Sequence, residues 1–202
     1  MNVHFKSSDK YMLTYILIAI NIGVYAYTSF LSNDVLVTSD GVLATYGQYN
    51  LFVLEYGWFW QLVSAMFVHN NIVHIGGNMF FLLIFGLRAE EMFKPHEYLL
   101  IYLLGGLVGN VVTLLMGPYV LSAGASGAIF ALFGAVTIYV RRAVGQPIVG
   151  ALMFAFLLLI FSAGIGVNIL AHLGGLIVGL LFGYGLAATR KFRVSYQYRY
   201  GV

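Results

Sequence analysis

Long apolar runs separated by short polar stretches divide this chain from end to end. An α-helix rises 1.5 Å per residue, so about 20 apolar residues cross the hydrocarbon layer of a bilayer. The pattern predicts helices over 11–31, 72–87, 97–116, 124–140, 147–161 and 168–188. The run at 72–87 is short for a crossing, which suits a helix that starts already submerged. Asn70 or Asn71 is placed to cap it. Gly117-Pro118 ends the third helix, and Pro147 can occupy the first turn of the fifth. Segment 162–167 reads as a Gly-rich turn. Asn21, in the middle of the first helix, is expected to bond to a neighbouring helix. Nothing marks a domain boundary, so 1–202 reads as one all-α membrane domain with six transmembrane helices.

The connection at 32–70 breaks the pattern. It begins polar, with Asp34, Ser39, Asp40 and Gly41, and then turns aromatic through Tyr46, Tyr49, Phe52, Tyr56, Trp58, Phe59 and Trp60. Trp and Tyr favour the headgroup level of a bilayer. The segment is too apolar for water and too interrupted to span. It reads as a long interfacial first loop with short helical turns.

Composition agrees: 61% of the residues are hydrophobic and 8% charged, against roughly 25% charged in soluble domains. Cysteine is absent, which removes disulfides and thiolate chemistry. The first run is too long for a secretory signal and lacks a small-residue cleavage site, so it reads as a retained span. With six spans, Lys6, Lys10, Arg88, Lys94, Arg141, Arg142, Arg190, Lys191, Arg193 and Arg199 all fall on one face. They are all ten basic residues of the chain. The positive-inside rule makes that face, and both termini, cytoplasmic. The basic balance is therefore a topology signal, and no nucleic-acid partner is expected. The lack of a targeting segment points to a multi-pass protein of a prokaryotic plasma membrane.

Topology then assigns depth. The second, fourth and sixth helices all enter from the outer face, so their first turns lie level. Those turns carry His74 and Asn78, Ser126, and His172, with His69 just ahead of His74. Three of the five histidines thus share one depth with a serine and an asparagine. A single such residue is ordinarily an interhelical hydrogen bond. The set together reads as a site, because ionisable groups inside a membrane are costly.

These residue types support acyl transfer. A serine hydroxyl needs a base to become a nucleophile, and His172 is the candidate. Asn78, His69 or His74, and the backbone N–H of Ser126 can donate to an oxyanion. Asp and Glu lie in loops or at span ends, so a Ser126–His172 dyad is expected rather than a triad. Gly175, Gly179 and Gly183 repeat every four residues near His172. Gly127, Ala131 and Ala135 make a matching stripe beside Ser126. Small faces of this kind let helices approach closely. Gly124 opens the backbone before the fourth helix, and Gly127 begins the face that admits the sixth. A metal site is the weaker reading, since no His-Glu-x-x-His string or nearby carboxylate supports it. A transporter is weaker too, because internal repeats and mid-span charges are missing.

Gly124-Ala125-Ser126-Gly127, Ala171-His172 with Gly175 and Gly179, and His69-x4-His74-x3-Asn78 occur here in family order. With them the chain resembles the rhomboid intramembrane serine proteases over nearly its full length. Trp60-Gln61 is similar to the family's Trp-Arg pair, and Gly86 with Glu90 to its turn after helix two. The resemblance implies a rhomboid-like bundle, Ser126 as nucleophile and His172 as base. It implies Asn78, His74 and His69 around the oxyanion, with His69 favoured as the histidine donor. It implies single-span membrane proteins as substrates, cut near the outer end of the span, in contact with lipid and with no cofactor or metal. The fifth helix and 162–167 are implied as gate and cap. Gln61 departs from the family's Arg, and Phe130 stands where many members have Tyr. The alternative is a non-catalytic rhomboid-like binder or escort of membrane proteins.

Overall fold

In lipid, backbone N–H and C=O groups must be satisfied within the segment, which leaves helices for the apolar runs. The computed structural model describes residues 12–161 and 167–190. Lys6, Lys10, Lys191, Arg193, Arg199 and all but the last residue of the expected cap at 162–167 lie outside the described residues. The chain runs through α1 (Met12–Ser32), α2 (Asp40–Tyr46), β1 (Gln48–Tyr49), α3 (Asn50–Tyr56) and α4 (Gln61–Ser64). It continues through α5 (Ile72–Met92), α6 (Pro95–Thr113) with a 3-10 turn (Leu114–Met116), and β2 (Leu121–Ser122). The last helices are α7 (Ser126–Ala143), α8 (Val149–Phe161) and α9 (Ile169–Thr189).

Four of these helices, among the described residues, are long and apolar enough to cross a membrane: α1, α5, α6 with its 3-10 turn, and α9. The other two long helices differ for physical reasons. α7 ends on Arg141 and Arg142 and is buried almost all round from Gly127 to Tyr139, as a central helix must be. α8 has 13 residues, fewer than the about 20 that span the hydrocarbon alone.

The helix predicted to end at residue 87 runs on to Met92. Its buried stripe of Leu82, Gly86, Ala89 and Met92 continues beneath the charges. Arg88 pairs with Glu91 on the outside, and Glu90 accepts a hydrogen bond from the Thr14 N–H at the start of α1. Gly86 and Glu90 therefore belong to a helix end, not to a turn; Gly86 gives room to Thr14. Asn71 caps α5 by accepting from the His74 N–H at 2.8 Å. Pro147 precedes α8 rather than lying in its first turn. Asn21 donates to the Leu17 carbonyl of its own helix at 2.7 Å, with the Tyr102 hydroxyl of α6 as its cross-helix neighbour.

The long connection folds as a platform. β1 pairs antiparallel with β2, Gln48 opposite Ser122 and Tyr49 opposite Leu121. Asn50 donates to the carbonyls of Thr113 and Gly117 at 2.9 and 2.8 Å. Gln61 is fully buried. Its oxygen accepts from the Tyr49 N–H at 3.0 Å, and its nitrogen donates to the carbonyls of Ala44 and Thr45 at 2.7 and 3.2 Å. A neutral amide with one acceptor and two donors therefore satisfies three backbone groups that no ion pair is needed to hold. Gln61→Leu strands those groups, each at roughly 1–3 kcal/mol. The expected result is a large fall in the thermal unfolding midpoint, read by scanning fluorimetry in detergent.

The opposite end of the bundle is closed by Arg190, just past α9. Its guanidinium donates to Glu97 in the first turn of α6, to the Tyr139 hydroxyl of α7 at 2.9 Å and to the Met92 carbonyl at 2.7 Å. Three helix ends thus meet on one charge, well away from Ser126.

Candidate active site

Ser126 is the first residue of α7, and the backbone before it decides where it points. Leaving β2, the chain turns at Gly124, whose φ of 133° is closed to ordinary L-residues. Its N–H donates to the Ala65 carbonyl at 2.8 Å. A Cβ at Gly124 would stand 2.8 Å from His74 Cε1 and 3.4 Å from Asn78 Nδ2. Backbone conformation and close approach both demand glycine. The turn lays the segment before Ser126 directly over His74 and Asn78. The N-cap residue, Ala125, offers no side-chain bond, so the first N–H groups of α7 keep free donor capacity.

His172 sits in the first turn of α9. Asn168 caps that helix by accepting from the Ala171 N–H at 3.0 Å, and its carbonyl accepts from the His172 N–H at 3.3 Å. The imidazole stacks on Phe130, with ring centroids 4.4 Å apart and planes 19° from parallel. Phe130 lies one turn beyond Ser126, so α7 supplies both the hydroxyl and the plate that orients the ring. That stack requires no phenolic hydroxyl.

Close packing of α7 on α9 brings the two turns together. A Cβ at Gly175 would overlap the Gly127 carbonyl oxygen, and one at Gly179 the Ala131 carbonyl oxygen. A Cβ at Gly127 would lie 3.2 Å from the Ala171 carbonyl oxygen. Gly127 and Ala171 are the chain neighbours of Ser126 and His172, so contact between the former pair draws the latter toward one point.

Ser126, His172, His74, Asn78 and Gly124 line one cavity of about 720 Å³. Phe81, Phe85, Phe130, Phe133 and Leu158 give it an apolar flank. The Asn78 amide nitrogen is buried there and has no hydrogen-bond partner among the described residues. His69 is placed differently. It is fully buried behind His74, edge-to-face with centroids 5.2 Å apart, with Nδ1 3.3 Å from the Phe67 carbonyl. Of these two histidines, His74 is the one on the cavity wall.

Asn168 and Ser122 also line the cavity, and neither was singled out as a site residue from the sequence. Asn168 carried a readable signal, an Asn immediately before an apolar helical run. Ser122 carried none, because its position depends on a two-residue strand.

A family model described as the Rhomboid domain matches residues 56–189, a span that contains every side chain on the cavity wall. The chain is 35% identical over 156 residues to RHOMBOID-like protein 6, mitochondrial, of Arabidopsis thaliana, covering 69% of this chain and 49% of that protein. It is 33% identical over 132 residues to Rhomboid-like protease 3 of Toxoplasma gondii, covering 60% and 49%. With the Bacillus subtilis (strain 168) protein YdcA, named as a candidate rhomboid protease, it shares 31% identity over 191 residues, 90% of this chain and 91% of YdcA. The chain spans about half the length of the first two relatives and nearly all of the third. Apolar spans, the α7–α9 packing and this match agree, and the chain belongs to the rhomboid family as an integral membrane protein.

Proposed function

We propose that this protein is an intramembrane serine endopeptidase in which Ser126 is the nucleophile and His172 the general base. The observation that carries the reading is the shared cavity of Ser126, His172, His74 and Asn78. Its relatives named as rhomboid proteases support it. The Ser126 hydroxyl attacks the scissile carbonyl while His172 takes its proton. The tetrahedral oxyanion is met by the Asn78 amide, a His74 ring N–H and the N–H groups opening α7. Collapse expels the amine, which takes the proton from His172, and leaves an ester on Ser126. Water then attacks that ester with His172 again as base, releasing the carboxylate and restoring the hydroxyl. His69, behind His74, supports it from the protein interior.

The six-span topology belongs to the same reading. Arg88, Lys94, Arg141, Arg142 and Arg190 cluster at the ends of helices remote from Ser126, and the positive-inside rule makes that end cytoplasmic. Both termini are then cytoplasmic, in a prokaryotic plasma membrane, and Ser126 opens toward the outer face. Tyr56, Phe59 and Trp60 are strongly exposed on the platform, which suits a seat at the headgroup level. Substrates are single-span membrane proteins cut near the outer end of the span. The apolar flank of the cavity accepts a segment that has begun to unwind.

The test is cleavage of a fluorescent transmembrane substrate by the purified protein in proteoliposomes, with the products mapped by mass spectrometry. One cut near the outer end of the span is the expected result. Stable retention of the intact substrate without cleavage would favour the escort reading instead. Asn78→Ala is expected to lower kcat by about 10²–10³ with little change in KM, as for loss of one oxyanion donor. A loss confined to KM would assign Asn78 to substrate binding.

A further inference from the structure

The Asn168 amide touches both halves of the site. On one side its oxygen caps α9 at Ala171, the residue before His172. On the other its nitrogen donates to Ser122 Oγ at 2.8 Å, in β2 and four residues before Ser126. The second N–H goes to Thr113 Oγ1 at the end of α6, also at 2.8 Å. Thr113 spends its own proton on the Gly109 carbonyl at 2.9 Å, so toward Asn168 it can only accept. That fixes which end of the amide faces which partner. Both donors and the acceptor are engaged, and no other side chain of similar size offers that set.

The surroundings leave little slack. A Cβ at Gly109 would stand 2.6 Å from the Ala171 carbonyl oxygen, so α6 and α9 are already in backbone contact beside the amide. On the Ser122 side, β2 is paired with β1 and Gly124 is tied to Ala65. A displacement at Asn168 is therefore passed to His172 on one side and to the strand before Ser126 on the other.

We propose that Asn168 is a positioning residue that sets the His172 imidazole against Ser126 by clamping the first turn of α9 to β2. The inference rests on Ser126 and His172 being the catalytic pair. A helix cap alone contributes about 1 kcal/mol to stability, whereas a shift of about 1 Å in a catalytic group can cost 10²-fold in rate.

Two variants separate the roles. Asn168→Ser keeps a capping oxygen, but its shorter side chain cannot hold that cap and also reach Ser122 Oγ. Ser122→Ala removes the acceptor on β2 and leaves α9 intact. Each is expected to lower kcat on the fluorescent transmembrane substrate about 10- to 100-fold with KM nearly unchanged, and to slow fluorophosphonate labelling of Ser126 in parallel. The double variant should be no worse than Asn168→Ser, because the same bond is already gone. Tyr139→Phe, at the far end of α7, should lower the thermal midpoint and leave kcat unchanged. Wild-type kcat in both single variants overturns the clamp, as does a loss that vanishes once rates are normalised to folded protein, or effects that simply multiply in the double variant. A wild-type protein that neither cleaves nor labels overturns the catalytic pair and the clamp together. An active wild type with unaffected variants overturns the clamp alone.

Discussion

Ser126→Ala is expected to abolish cleavage, with kcat down by about 10⁴ or more. The remaining donors at Asn78 and His74 still polarise a carbonyl, but with no hydroxyl there is no acyl intermediate to form. The change removes one oxygen from a half-buried position at a helix start, where no side-chain cap is lost. The thermal midpoint should therefore stay near that of the wild type. This pairing separates loss of chemistry from loss of fold. Residual activity above roughly a hundredth of wild type would move the nucleophile elsewhere, since removing a nucleophile costs far more than that.

Gly175→Ala is the second large effect. The obstacle to its methyl group is the Gly127 carbonyl oxygen, a backbone atom that cannot rotate aside. α7 and α9 must move apart, at about 1–3 kcal/mol for overpacking. His172 lies one turn before Gly175, so the separation opens at the site. A loss of about 10² in kcat is expected, with a lower thermal midpoint. Gly179→Ala meets the Ala131 carbonyl oxygen in the same way, but two turns from His172. It should cost similar stability and less activity. Gly23→Ala is the control: nothing among the described residues lies within 4 Å of a Cβ there, and alanine is favoured over glycine inside a helix by roughly 0.5–1 kcal/mol. It should be neutral or stabilising. If Gly175→Ala matched Gly23→Ala in kinetics and unfolding, the α7–α9 contact would not be what aligns the site.

The site was legible where the chain's periodicity carried it. Alternating helix directions put the first turns of α5, α7 and α9 at one level, and glycines four residues apart marked the face on which α9 meets α7. What was not legible depends on contacts distant in sequence. The end of α5 was misplaced because charged residues suggest a loop, while the buried stripe through Ala89 and Met92 continues underneath them. The platform of residues 33–71 looks irregular because its short helices are held by single amides, Gln61 and Asn50, and by a strand pair whose second half is at Leu121–Ser122. Sequence favoured His69 by resemblance over His74. Spacing alone cannot say which ring faces a cavity; the Asn71 cap sets where α5 begins and hence which way His74 points. The Trp60-Gln61 pair likewise reads as a weakened ion pair until its three backbone partners are seen.

The most direct test of the Ser126–His172 assignment is peptide mass mapping after treatment with a fluorophosphonate. The account predicts one adduct, on Ser126, that forms in wild type and is lost in His172→Ala. An adduct on another residue, or labelling of Ser126 at the wild-type rate in His172→Ala, would contradict it.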